Sequence, residues 1–374
     1  MREYLLVFLV AASVTYLLTV IAREIALRTH AVAQVRDRDV HVVPIPYFGG
    51  VALLGGLVAA YFVARQLPFL SLSAPNVMRD AGVVLAAGAF VCLVGVLDDL
   101  FELDALTKLG GQVIAAGLLI AFGVQYRLIP VPGEGQFALD QSQAALLTVV
   151  IVVTTINAVN FVDGLDGLAA GVVGVGALAF FLFCYQIANL NDQTLAVTGA
   201  LLCAALGGAC VGFIPHNFYP ARLFMGDSGS MLLGLFLSAS ALTLTGQFAP
   251  TDVTRGGAGT ESSLLPTLLP IIVPLSILIV PLADLVLAVI RRTRRGQRFY
   301  QPDKQHLHHR MLEIGHSHRR AVLIIWLWAA LIGFGTVLAS LYASPAVWAL
   351  IGAWFLLTVV LTFVVPKLSG IDPV

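Results

Sequence analysis

The chain has 374 residues, of which 59% are apolar and only 11% are charged, and its formal net charge is zero. This composition excludes an ordinary soluble domain, because repeated apolar runs of about 20 residues are typical of membrane helices. The four cysteines lie inside such runs without a Cys-x-x-Cys pair, so we expect buried thiols rather than disulfides or zinc ligands. We predict one polytopic all-α integral membrane domain over residues 1–374, with no nucleic-acid partner.

Apolar runs predict about eleven transmembrane helices. They cover approximately residues 4–22, 48–65, 81–97, 109–124, 145–162, 167–187, 195–214, 230–246, 265–290, 321–341 and 347–365. The first run has the length of a signal peptide, which is the alternative interpretation. Its basic residues Arg23 and Arg28 follow the run instead of preceding it, and this order favours a retained helix with its N-terminus outside.

Basic residues are distributed unevenly between the predicted loops. The odd-numbered loops and the C-terminal tail hold 16 of the 21 Lys and Arg residues, and the other segments hold 5. By the positive-inside rule, the odd-numbered loops and the C-terminus are cytoplasmic. Three acidic strings and a histidine-rich segment all belong to odd-numbered loops, so we predict that they converge on the cytoplasmic face.

The first acidic string ends the third apolar run at Asp98 and Asp99. Carboxylates at membrane depth are costly and are therefore interpreted as functional. Adjacent helical residues point about 100° apart. We expect one carboxylate to face a metal or substrate while the other supports it, and a solvated helix end is the alternative.

The second string places Asn157, Asn160, Asp163 and Asp166 three residues apart. This spacing indicates one face of a helix or a tight helical turn, and Gly164 allows close backbone approach. Amide groups and hard carboxylate oxygens suit contacts with sugar, uracil or Mg²⁺. The alternative is a capped loop between two helices.

The third string, Phe224-Met225-Gly226-Asp227-Ser228, precedes the eighth predicted helix. Asp227 and Ser228 could simply cap that helix. We favour Asp227 as a Mg²⁺ ligand, where the helix N-terminus adds positive potential for a phosphate.

The ninth predicted helix contains Asp284 together with four prolines at positions 266, 270, 274 and 281. Prolines kink helices and are tolerated where a cavity forms. A groove for a long isoprenoid tail is the hypothesis, and a snorkelling or helix-paired Asp284 is the alternative.

The ninth loop holds five of the eight histidines, between His306 and His318. Its basic run 291–298 is explained by topology and by anionic headgroups. Topology and headgroups do not explain His306, His308 and His309. Zinc binding by these histidines is disfavoured because thiolates are absent and the neighbouring residues are cationic. Hydrogen bonding to a diphosphate fits better, with Arg310 as a charge partner.

Together these strings resemble the polyprenyl-phosphate N-acetylhexosamine-1-phosphate transferases (glycosyltransferase family 4). The likeness runs from about residue 36 to 321 and rests on the aspartate pair, Asn-x-x-Asn-x-x-Asp-Gly-x-Asp-Gly, Met-Gly-Asp-Ser and His-x-His-His. The His306-Leu307-His308-His309-Arg310 form and the helix count are similar to the undecaprenyl-phosphate GlcNAc-1-phosphate transferase branch. The family's peptidoglycan branch usually has ten helices.

The resemblance implies a reaction at the cytoplasmic membrane. A UDP-N-acetylhexosamine, expected to be UDP-GlcNAc, gives its sugar-1-phosphate to undecaprenyl phosphate and releases UMP. The product would initiate a cell-envelope polysaccharide of O-antigen, teichoic acid or arabinogalactan type. Mg²⁺, or Mn²⁺ in its place, is implied because two phosphate-bearing anions must meet. Homodimer formation and the identity of the donor are left open.

The resemblance also implies roles for individual residues. Asp227, with Asp99, would bind the metal, and Asp98 would orient or deprotonate the lipid phosphate. Asn160 and Asp163 would hold the nucleotide or the metal shell. The implied contacts to diphosphate or sugar come from His308, His309 and Arg310.

The first loop departs from the family pattern. Positions that are usually basic in the family are occupied here by Asp39, Val42, Val43 and Tyr47. Arg38 and His41 remain its candidates for substrate contact. Lys108 resembles a family lysine that follows the aspartate pair. Direct attack by the lipid phosphate is favoured over a covalent aspartyl intermediate, because the acceptor mainly needs positioning.

Two other functions compete with this interpretation. Within the same class, the chain could be a phospho-MurNAc-pentapeptide translocase, which needs a different ninth loop. In the second alternative, the chain would be an ion-coupled transporter whose buried acidic residues bind the coupling cation or proton. A transporter should show inverted repeats and acids near mid-helix, and neither is evident here.

Overall fold

The computed structural model consists almost entirely of long helices. It describes residues 1–29, 32, 45–131, 135–191, 195–245, 307–342, 344–364 and 366, with isolated positions between 272 and 294. The helices in the continuous ranges are α1 (Arg2–Arg28), α2 (Gly49–Ala64), α3 (Pro68–Leu72), α4 (Pro75–Phe101), α5 (Ala105–Ala121), α6 (Gln141–Val162), α7 (Leu168–Asn191), α8 (Leu195–Asn217), α9 (Gly226–Thr245), α10 (Leu307–Glu313), α11 (His318–Leu341) and α12 (Pro345–Phe363).

Eight of these helices are long and apolar enough to cross a membrane, and α2 and α5 are shorter apolar helices. Ten of the eleven predicted apolar runs coincide with a helix of the structure. The remaining run, 265–290, lies largely outside the described residues. The prediction of an all-α integral membrane protein is therefore confirmed.

Local sequence signals set the ends of the helices that carry the acidic strings. Asp140 and Gln143 form a capping box at the start of α6, with the Gln143 N–H donating to the Asp140 carboxylate over 2.8 Å. Asp104 accepts the Thr107 N–H at the start of α5. Between α4 and α5, Glu102 adopts a left-handed conformation (φ 50°), so that α5 begins three residues later.

Helices α8 and α9 form the centre of the bundle, since 89% and 94% of the residues in their apolar 18-residue segments are buried. Helices α4 and α6 pack on α9, whereas α1 and α7 pack on α8. Helix α12 is only 11% buried and packs on α11, so most of its apolar surface faces outward, as expected for contact with lipid.

Two short elements were not anticipated from the apolar runs. A two-stranded antiparallel hairpin, β1 (Leu128–Val131) and β2 (Gly135–Ala138), links α5 to α6. The five-residue helix α3 follows α2, and the Glu3 carboxylate accepts the N–H groups of Phe69 and Leu70 in its first turn.

Candidate active site

The three acidic strings meet at one end of the bundle, where α4 and α6 end and α5 and α9 begin. The Lys108 ammonium lies 2.5 Å from Asp98 Oδ2 and 2.8 Å from Asp227 Oδ2, so it joins the first string to the third. Asn160 Nδ2 donates to Asp227 Oδ1 over 2.9 Å and joins the second string to the third. Residues more than 60 positions apart thus share one polar cluster.

Asp99 binds the N-terminus of α9 through its backbone. Its Oδ1 accepts the Asp227 N–H over 2.8 Å, and its Oδ2 accepts the Ser228 N–H over 3.3 Å. A carboxylate at this place is favoured by the unpaired N–H groups and the positive helix terminus. The adjacent aspartates therefore have different partners. Asp98 forms an ion pair with Lys108, and Asp99 holds the N-terminus of α9 by two hydrogen bonds. The metal-ligand role of Asp99 stays a prediction.

Glycines permit this contact between α4 and α9. A Cβ on Gly226 would collide with the Asp99 carboxylate, and one on Gly95 would collide with the backbone of Asp227 and Ser228. Gly226 also has φ +70°, which L side chains rarely adopt.

The asparagine string occupies the last turns of α6 and the segment that follows. Asn157 Nδ2 donates to the Gln112 side chain over 2.7 Å, so this amide joins α6 to α5. Asp163 caps the C-terminus of α6. Burial, and then the charges of Asp227 and Asp99, raise the pKa of Asp163 to about 8. The substrate contacts predicted for Asn157 and Asp163 are untested.

Asp166 points to different partners from the rest of its string. Its Oδ2 accepts the Ala221 N–H over 2.8 Å, and its own N–H lies 3.3 Å from the His318 ring. Next to it, the Gly167 N–H donates to Asn217 Oδ1 over 3.0 Å. The segment is thereby fastened to the α8–α9 connection and to α11, while its substrate role stays a prediction.

Several predicted site residues lie outside the described part of the chain: Arg38, His41, Asp284 and His306. His308 and His309 belong to α10, with side chains that are likewise outside the description. The side chain of Arg310 is exposed. Farther along, the His316 ring forms a hydrogen bond of 2.9 Å with the Thr362 carbonyl oxygen and so ties α12 to the start of α11.

The charges of the cluster fit a divalent cation. Four carboxylates, Asp98, Asp99, Asp163 and Asp227, belong to the cluster, and the charge of Asp227 acts on each of the other three. Within the described residues, only Lys108 forms an ion pair with any of the four. No three His, Cys, Asp or Glu side chains in that part of the chain already converge as metal ligands. The donor set is nevertheless all-oxygen and carries surplus negative charge, as Mg²⁺ prefers.

Sequence reasoning missed four residues that organise the site: Gln112, Asn217, Ser230 and His318. Ser230 Oγ accepts from Asn160 Nδ2 over 2.9 Å. Its position three residues after Asp227 placed it on the same helix face and could have identified it. Gln112 is a polar residue within an apolar run, four residues after Lys108, and this spacing was a usable signal.

Comparison with known proteins agrees with these motifs. The family described as "Glycosyl transferase family 4" matches residues 81–245. A protein of Mycobacterium tuberculosis named decaprenyl-phosphate N-acetylglucosaminephosphotransferase is 44% identical over 352 residues, covering 92% of this chain and 84% of that protein.

Two more distant relatives cover similar shares. A Bacillus subtilis protein named probable undecaprenyl-phosphate N-acetylglucosaminyl 1-phosphate transferase is 31% identical over 99% of this chain and 93% of its own length. A phospho-N-acetylmuramoyl-pentapeptide-transferase of Desulforudis audaxviator is 33% identical over 85% of this chain and 93% of its own length. Because identity of this size extends across nearly the whole chain, the chain belongs to glycosyl transferase family 4 and is a multi-pass membrane transferase.

Proposed function

We propose that the protein transfers N-acetylglucosamine-1-phosphate from UDP-GlcNAc to a polyprenyl phosphate and releases UMP. The observation that carries the proposal is the cluster of Asp98, Lys108, Asn160 and Asp227 at one end of membrane-spanning helices. A lipid phosphate anchored in the bilayer and a water-soluble nucleotide sugar can meet at such a place. The names of the relatives at 41–44% identity agree with this reaction.

The proposed reaction is a single phosphoryl exchange. A phosphate oxygen of the lipid attacks the sugar-bearing phosphorus of UDP-GlcNAc, and the bond from that phosphorus to the bridging diphosphate oxygen breaks. UMP leaves with that oxygen, and the lipid carries a diphosphate-linked sugar. Because the attacking oxygen is already anionic, the enzyme mainly has to position two anions and offset their charge.

The residues of the cluster suit this task. Lys108 is close enough to two carboxylates to remain charged, and its ammonium can bind a phosphate oxygen. Asp98 would orient the acceptor phosphate. Asp227, held by Asn160, and Asp99 are proposed to hold Mg²⁺. When bound, Mg²⁺ would neutralise charge on the transferring phosphoryl group.

The lipid acceptor and the placement of the site are also part of the proposal. The sequence predicts undecaprenyl phosphate, whereas the relatives at 41–44% identity are named for decaprenyl phosphate. We expect both lipids to serve as acceptors in vitro, with a preference that competition would reveal. We place the reaction on the cytoplasmic face of the cell membrane, where it would initiate a cell-envelope polysaccharide.

A radiolabel transfer assay tests the proposal. Purified protein in detergent receives polyprenyl phosphate, UDP-[³H]GlcNAc and Mg²⁺, and label is counted in the lipid phase. We expect label that disappears with EDTA and with Asp227→Ala. Asp140→Asn, which removes an exposed charge at the opposite end of α6 but keeps a side chain that can cap the helix, serves as the control and should keep the activity.

The donor is tested by the same assay. The Desulforudis relative raises UDP-MurNAc-pentapeptide as the second candidate donor, and UDP-GalNAc is the third. Unlabelled UDP-GlcNAc should reduce transfer far more than either alternative at equal concentration. Transfer from the pentapeptide donor alone would replace the proposal with the translocase reaction. Folded protein that uses none of the three donors would contradict the transferase proposal.

A further inference from the structure

Lys108 occupies a position that a metal ion would also need. Its ammonium contacts Oδ2 of both Asp98 and Asp227, while its side chain is 31% exposed. The other Asp227 oxygen accepts the Asn160 amide, and both Asp99 oxygens accept backbone N–H groups of α9. The Lys108 contacts are thus the part of the cluster that can change without moving a helix.

The cluster needs a cation to hold it together. The carboxylates of Asp98 and Asp227 both lie within 3 Å of the Lys108 nitrogen, and they would repel each other without a positive charge between them. Lys108 lies in the first turn of α5 on a flexible four-carbon stem. The ammonium can therefore move away from the two carboxylates by rotation of the Lys108 side chain, while Asp104 still caps the N-terminus of α5.

We propose that Lys108 is an exchangeable counter-ion, which neutralises Asp98 and Asp227 in the metal-free protein and is displaced when a divalent cation binds. The inference rests on the metal requirement of the proposed function. An ammonium and a dication on the same Asp227 oxygen repel each other at that distance, so the binding of one weakens the binding of the other. Displacement also releases the ammonium for the phosphate of an arriving substrate, so metal binding would precede and assist substrate binding.

Direct metal titration tests the competition without turnover. The full chain in detergent at pH 8.5, where protons compete little with metal, is titrated with Mn²⁺ and free ion is measured by electron paramagnetic resonance. We expect Lys108→Met to tighten Mn²⁺ binding about tenfold, because one competing charge is gone. Lys108→Arg should bind Mn²⁺ like the unchanged protein. Arg28→Met, which removes an exposed Arg28–Glu24 pair, is the control and should have no effect.

A second measurement uses the unaltered chain and so avoids any folding defect of the variants. The sequence contains three lysines, Lys108, Lys304 and Lys367. Acetylation by an amine reagent is followed by mass spectrometry with and without Mg²⁺. We expect the cation to increase acetylation of Lys108 several-fold, because the amine loses its two carboxylate partners and lies near a dication. The other two lysines provide the internal control.

The outcomes separate this inference from the proposed reaction. Equal Mn²⁺ affinity in the unchanged protein and in folded Lys108→Met, together with metal-independent acetylation of Lys108, would overturn the exchange. The proposed reaction fails separately, if the unchanged protein binds Mn²⁺ yet transfers no sugar phosphate from any donor.

Discussion

At the scale of single residues, the contact between Asp99 and Gly226 sets the distance between α4 and α9. The Asp99 carboxylate receives two backbone N–H groups of α9, and Gly226 leaves the space that this carboxylate fills. Asp227 is the next residue, so its side chain is positioned by the same contact. A small displacement here would move Asp227 away from Lys108 and Asn160.

Gly226→Ala should therefore abolish transfer and destabilise the protein. The new methyl group collides with the Asp99 carboxylate, and a non-glycine residue at φ +70° costs about 1–2 kcal/mol. Gly110→Ala is the matched control, because a Cβ at Gly110 meets nothing within 4 Å. Thermal unfolding and the transfer assay check both variants. Full activity of Gly226→Ala would show that the contact does not position Asp227.

Asp99 and Asp227 should differ in their effect on metal binding. Both Asp99 oxygens already accept backbone N–H groups, whereas Asp227 Oδ2 faces the Lys108 ammonium. We expect Asp227→Asn to weaken Mn²⁺ binding by more than tenfold and Asp99→Asn to weaken it less. Asp99→Asn should instead lower kcat at saturating metal, because α9 is held less firmly. If titration shows that both variants lose the same Mn²⁺ affinity, Asp99 contributes as much to metal binding as Asp227 does.

At the scale of elements, the segment after α6 is fastened to the segment before α9. Asn217, at the end of α8, accepts the Gly167 N–H and donates to the Leu223 carbonyl oxygen, each over 3.0 Å. Asp166 accepts the Ala221 N–H from the same connection. These contacts make the second and third acidic strings a single unit, although 56 residues, from 168 to 223, separate them in the chain.

Asn217→Ala should loosen that unit. It leaves the Gly167 N–H and the Leu223 carbonyl group without their partner in a buried region, which costs about 1–3 kcal/mol. We expect a lower unfolding temperature and a KM for UDP-GlcNAc raised more than the KM for the lipid. Thr336→Val, which removes only a hydrogen bond to Ile332 within α11, is the control. An equal rise in both KM values would indicate a global loss of structure instead.

The sequence predicted the long helices because a segment that crosses the hydrocarbon core of a bilayer must be apolar over its whole length and must form its backbone hydrogen bonds within itself. It did not reveal α3 or the β1–β2 hairpin, which are too short to leave such a run. Period-three spacing correctly indicated that Asn157 and Asn160 lie on one helix. It could not show that Asp166 departs from them, because the chain turns after Val162 and Gly167 adopts φ +78°.

At the scale of the whole molecule, charge and geometry make one prediction about orientation. Helix α6 carries Asn160 near its last residue and starts at Gln141, and its 22 residues span about 33 Å. That length matches the hydrocarbon core of a bilayer, so Gln141 and the acidic cluster should face opposite compartments. The basic residues of the odd-numbered loops favour the cytoplasm for the cluster.

Cysteine labelling tests this orientation. Gln141→Cys and Glu313→Cys introduce thiols at exposed positions, the first at the far end of α6 and the second just before α11, whose His318 contacts Asp166. In right-side-out vesicles, an impermeant maleimide should label Gln141→Cys at once and Glu313→Cys only after permeabilisation. The four native cysteines are buried, and the unchanged protein gives their background. The reverse pattern would place the acidic cluster outside the cell, where no UDP-sugar pool reaches it, and would refute the proposed reaction on the cytoplasmic face.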